Sequence, residues 1–299
     1  MQTIYKDVKN ADKNQLAQPR VHSYLLIDGA LVSDLGRLVS HLAGDQNPQT
    51  VPLMQAYFGD QAYDGLPLLI SSEPGSAVYE YFSTLLETIP AGCMIRSTAN
   101  LETLAAHCSS LMRVTLEGQR PSLFRFYDPR NLNALVEVFS HALPTILGPM
   151  ERLSWHHNGQ WHQQQLDQLH EQHNDQQSQP WDGTLQPPGW LQIDAGQLAA
   201  ITEIKRRDVN DQLALTYQSA IQARGEQPVA YVAEQLSRAR QFKFESLSEL
   251  ERWLRLALGQ GPQFWQQADA HSLLITECLT TEQQLQQLEQ LFTPQSAQA

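Results

Sequence analysis

The stretch Leu123-Phe124-Arg125-Phe126-Tyr127 alternates, with Phe124 and Phe126 on one side and Leu123, Arg125 and Tyr127 on the other. Aromatic residues at period two predict a strand. The pattern changes at Asp128, whose side-chain oxygen suits the free N–H groups of a helix's first turn. Pro129 follows at the first helical position, where its fixed φ is already suitable and its missing N–H costs nothing. Leu132, Leu135, Val136 and Phe139 then recur at helical spacing. The stretch therefore predicts a strand running directly into a capped helix, with Arg125, Asp128 and Arg130 crowded at the junction.

The same reading places strands at Tyr24-Leu25-Leu26-Ile27, Val51 to Phe58, Leu66 to Ile70 and Cys93-Met94-Ile95. A hairpin is expected from Leu111 to Leu116 and Pro121 to Tyr127, and a second from Leu153 to Trp161, turning at Asn158-Gly159. Helices are expected from Leu31 to Leu42, from Val78 to Ile89, and after Asn100 as cap. A turn is expected at Gly59-Asp60. From Leu191 onward the period is helical, with Pro228 opening one helix and the pairs Ser246/Glu249 and Thr280/Gln283 forming capping boxes ahead of two more. Strands alternating with helices, with hairpins among them, predict an α/β (α+β) class. The expected organisation is a polar arm over 1–21, a mixed-sheet α/β lobe over 22–162, a Gln/Pro-rich linker over 163–190 and a smaller all-helical lobe over 191–299.

Composition narrows the function. The 299-residue chain is 41% hydrophobic, enough for a sizeable core, and only 17% charged. Its formal charge of −12 repels phosphate backbones and argues against a general nucleic-acid binder. Cys93, Cys108 and Cys278 form neither a metal pair nor a disulfide framework, and Cys93 and Cys108 read as small core side chains. The polar start lacks a signal-peptide core, and no apolar run approaches the roughly 20 residues of a membrane helix. The expectation is a soluble cytoplasmic protein without stable membrane association.

Candidate chemistry is sparse. Arg125, Asp128 and Arg130 could be a carboxylate with an anion-binding pair, or an N-cap bridged by arginines that tie the junction together. His156, His157, His162, His170 and His173 have no zinc-motif spacing, so no metal is expected. There is no nucleophile elbow, no P-loop and no dinucleotide fingerprint, so no cofactor is expected. Trp155, Trp161, Trp181 and Trp190 gather around the linker, either as packing residues or as the wall of a cleft between the lobes.

Phe124 to Arg130 resembles the signature of the type VI secretion effector chaperones, also called adaptor proteins. Tyr24 to Gly29, Pro67 to Ile70, Ser97 to Leu104 and Leu147-Gly148-Pro149 resemble further segments of that family in the right order, over roughly residues 22–160. Leu191 to Ala200 resembles the start of its variable helical lobe. The resemblance implies a non-enzymatic bacterial cytoplasmic protein that binds a cognate toxic effector and helps load it onto the VgrG/PAAR spike. It implies a structural role for Arg125, Phe126, Tyr127, Asp128, Pro129, Arg130, Gly148 and Pro149, with client contact left open. The alternatives are a hydrolase using Asp128 with Arg125 and Arg130, aided by His156 or His157, and an adaptor that binds spike proteins only.

Overall fold

The computed structural model describes residues 20–58, 65–166 and 181–293. The N-terminal arm up to residue 19, the Gly59-Asp60 turn and the 167–180 portion of the linker, with His170 and His173, lie outside the described residues. The chain divides into two compact units, Met1–Ala195 and Gly196–Ala299. No helix among the described residues is long and apolar enough to cross a membrane.

The first unit runs β1 (His22–Ile27), α1 (Leu35–Ala43), β2 (Thr50–Pro52), α2 (Gln55–Phe58), β3 (Leu68–Ser71), α3 (Ala77–Thr88), β4 (Gly92–Ser97), α4 (Leu101–Leu111), β5 (Arg113–Leu116), β6 (Arg120–Leu123), α5 (Pro129–Val138), α6 (Leu143–Leu147), β7 (Met150–His157), β8 (Gln160–Gln165) and β9 (Gln192–Ile193). Six strands form one sheet in the order β2-β3-β1-β4-β7-β8, and every pairing in it is antiparallel. The parallel component lies in a separate three-stranded sheet, β6-β5-β9, where β5 pairs antiparallel with β6 and parallel with β9.

Both faces of the large sheet are packed near its centre, which is why β1 reads as a continuous apolar run. On one face Leu25, Ile27, Leu68 and Ile70 meet Leu35 and Val39 of α1 and Val78, Phe82 and Leu86 of α3. The opposite face carries Tyr24, Leu26, Leu69, Cys93, Ile95, Leu153 and Trp155, all buried, and α4, α5 and α6 pack on that layer. Cys93 and Cys108 are fully buried free thiols, and burial pushes both thiols up.

Several elements differ from the sequence expectation. Val51 to Phe58 gives only two strand residues, Val51 and Pro52, before the short α2, and Leu53 and Met54 are buried between the two elements. The strand expected through Tyr127 ends at Leu123; Phe126 and Tyr127 are both buried, so the alternation breaks where the chain turns into α5. Helix α1 begins at Leu35 rather than Leu31, after a turn in which Val32 N donates to Asp28 O. Residues 191–193, read as helical, instead hold β9, with Leu191 and Ile193 both buried. The Asn158-Gly159 hairpin forms as expected, with φ of 51° and 77° suiting a type I′ turn.

The second unit is helical: α7 (Ala195–Thr216, whose first residue falls in the first unit), α8 (Gln218–Gln222), α9 (Pro228–Gln241), α10 (Leu247–Gln260), α11 (Ala268–Leu274) and α12 (Thr281–Phe292). The expected capping boxes are both formed, at Ser246/Glu249 and Thr280/Gln283. The core is centred on Trp253, fully buried against Phe244 and Phe264 at ring-centroid distances of 5.6 and 4.7 Å. Arg252 bridges Glu282 and Glu289 and ties α10 to α12.

Candidate functional site

The junction after β6 is built from short local rules. Phe124 N donates to Met112 O and Phe126 N to Phe124 O, which ends the strand and swings Phe126 inward. Asp128 caps α5, its Oδ1 accepting from Arg130 N at 3.0 Å. The same carboxylate takes a two-pronged bond from the Arg130 guanidinium, Nε to Oδ1 at 2.9 Å and Nη2 to Oδ2 at 2.6 Å. This pairing holds the Arg130 pKa up. Asp128 is therefore saturated by its own helix start and the residue two ahead.

Arg125 takes a different partner from the one its sequence neighbours suggest. It forms an ion pair with the buried carboxylate of Asp28, just beyond the end of β1. Asp28 Oδ1 also accepts from Ala30 N at 3.0 Å, and Asp28 N donates to Ala91 O. The guanidinium lies 5.9 Å from the Tyr127 ring centroid, and Asn131 Nδ2 donates to Arg125 O at 2.9 Å. Tyr127 is buried, and burial raises its phenol pKa while the Arg125 charge opposes the rise. The junction thus fastens the end of β1 to the start of α5, a tie that no spacing along the chain predicts.

Gly148 and Pro149 sit at a second fastening. Gly148 has φ +54°, and a Cβ there would come within 2.5 Å of the His107 ring. His107 is almost fully buried, with Nε2 2.9 Å from Ile146 O. Since a carbonyl only accepts, Nε2 carries the proton and Nδ1 is left without a partner. Pro149 O accepts from Ser97 Oγ at 2.6 Å, and Ser97 Oγ accepts from Ala99 N. The glycine is required by the close approach of an imidazole, and the proline carbonyl locks onto the end of β4.

The four tryptophans expected to line a cleft, Trp155, Trp161, Trp181 and Trp190, all belong to the first unit. Trp155 is buried in β7 and stacks on His162 at 5.7 Å, so it presents no surface. Trp161 is 40% exposed on β8, its Nε1 donating to Glu87 of α3. Trp190 donates to Ser110 Oγ, and Trp181 to Thr184 O three residues on. His156, His157 and His162 lie in the β7–β8 hairpin, and no group of three or more His, Cys, Asp or Glu side chains able to hold a metal occurs among the described residues. Chemically, the junction offers two neutralised carboxylates and an apolar underside.

One feature of the sheet escaped the sequence reading. Arg96 on β4 and Arg152 on β7 face each other directly in register. Their only signal in sequence is an arginine inside each strand at a polar alternation position, which any solvated strand also shows.

No curated protein and no solved structure matches the chain. A family model matches residues 23–142, less than half of the chain and short of Gly148, the β7–β8 hairpin and the helical unit. That model is described as Domain of unknown function (DUF4123), and the matched segment runs from β1 through the Asp28–Arg125 and Asp128–Arg130 pairs to just past the end of α5.

Proposed function

We propose that the protein is a type VI secretion effector chaperone, a bacterial cytoplasmic protein that holds a cognate toxic effector and helps load it onto the VgrG/PAAR spike. The observation that carries this reading is the DUF4123 match over 23–142, a domain found in type VI effector adaptor proteins. The junction supports it. Arg125, Tyr127, Asp128 and Arg130 are tied to one another and to Asp28, which is the use expected of scaffolding. A hydrolase using Asp128 with Arg125 and Arg130 would need a carboxylate free to exchange a proton, whereas both Asp128 oxygens accept from Arg130.

Co-expression with the effector encoded beside the spike genes tests the proposal. The chaperone reading expects the effector to become soluble only with this protein present and to be recovered with it on affinity purification. An adaptor that binds the spike alone would leave effector solubility unchanged. The substitution Asp128→Asn should keep the cap, fold and client capture; loss of a hydrolytic turnover in a protein that still folds would establish the enzyme instead.

A further inference from the structure

We propose that Arg96 and Arg152, side by side on the α3 face of the large sheet, form an oxyanion-binding site that takes a carboxylate from an acidic segment of the partner protein. The source of the carboxylate rests on the chaperone reading; the site itself rests on geometry.

The two arginines are a directly opposed cross-strand pair on β4 and β7. Such pairs place their Cβ atoms about 4.5–5.5 Å apart, and like charges there are destabilising. Three other guanidinium groups are held by carboxylates: Arg125 by Asp28, Arg130 by Asp128, and Arg252 by Glu282 and Glu289. Among the described residues no carboxylate pairs with Arg96 or Arg152. Arg152 Nη2 instead donates to the neutral Gln165 Oε1 at 3.0 Å, and its Nε is sealed from solvent without a partner. The strand register also shifts between Arg96 and Ser97, and a bulge of this kind re-aims neighbouring side chains and is over-represented next to functional sites.

The surroundings favour a peptide over a small free ion. Ser154 and His156 follow Arg152 on the same face, and Gln163 and Trp161 stand opposite them on β8, the edge strand of the sheet. Trp161 is 40% exposed and lies edge-on to His156 at 5.6 Å. An extended chain crossing β8 would meet carboxamides able to bond its backbone and an aromatic ring before its carboxylate reached the arginines. The chain's charge of −12 repels an acidic segment over much of its surface, which leaves an unneutralised arginine pair as a local exception.

The test uses the full chain and fluorescently labelled hexaglutamate, with hexaglutamine and inorganic phosphate as controls at constant ionic strength. Saturable hexaglutamate binding is expected, at least tenfold weaker in Arg96→Gln and in Arg152→Gln and unchanged in Arg120→Gln. Hexaglutamine should not bind, and millimolar phosphate should not displace the peptide. Arg96→Gln should match or exceed the wild-type Tm, because it removes a like-charge contact. The proposal is overturned by absent binding, by binding undiminished in Arg96→Gln, by displacement with phosphate, which would mark a site for the free ion, or by a lowered Tm in Arg96→Gln, which would mark a structural arginine. Effector still recovered by a chain that fails these assays would leave the chaperone reading standing and remove only the site.

Discussion

At the scale of single residues, the protein's tightest constraints are steric and protonic. Adding one methyl at Gly148 drives a Cβ against the His107 ring at a backbone angle of +54°, which side chains rarely adopt. Gly148→Ala is expected to destabilise the protein by about 2–4 kcal/mol, read from the midpoint of urea unfolding. His107 supplies a pH dependence of its own. Burial lowers its pKa from 6.5 to about 4, so the folded protein keeps the ring neutral while the unfolded chain takes up a proton below 6.5. Stability from this group is complete above pH 6.5 and is lost as pH falls towards 4, by about 3 kcal/mol over that interval. The stability difference between wild type and His107→Gln should therefore shift against the wild type by that amount between pH 7 and pH 4, in urea titrations at each pH.

At the scale of elements, the junction motif matters through what it joins. Arg125 leaves the turn before α5 and neutralises Asp28 at the end of β1, while Asp128 and Arg130 close the first turn of α5. Removing the guanidinium leaves a buried carboxylate without its counter-charge, although Arg125 itself is 46% exposed at its side chain and water can enter behind it. Arg125→Ala is expected to cost about 2–3 kcal/mol, measured by chemical denaturation. Asp128→Asn should cost much less, because asparagine caps nearly as well. The strand ended at Leu123 rather than Tyr127 because burying both Phe126 and Tyr127 outweighs continuing the alternation, which would expose one of them.

At the scale of the molecule, two units carry separate cores, one layered around an antiparallel sheet and one wrapped around Trp253. Trp253→Ala should destabilise the helical unit by about 3–5 kcal/mol, seen as an earlier loss of helical circular dichroism on heating. The family match ends at residue 142 and takes in neither the β7–β8 hairpin nor the helical unit. The effector co-expression assay addresses the assembly as a whole, and the arginine pair gives it a surface to examine.

What the sequence determined by itself was local. The Asp128 cap with Pro129, the two capping boxes, the Asn158-Gly159 turn and the apolar runs of β1 and β4 all follow from residues within a few positions of one another, where backbone geometry and hydrogen-bond satisfaction leave little choice. Only the tertiary structure decided which distant groups meet: Arg125 with Asp28, Gly148 with His107, Arg96 with Arg152, and Leu191 to Ile193 as a strand beside β5. These contacts span 41 to 97 residues of chain, too far for periodicity to report, and they exist because sheet order and helix packing bring the residues together.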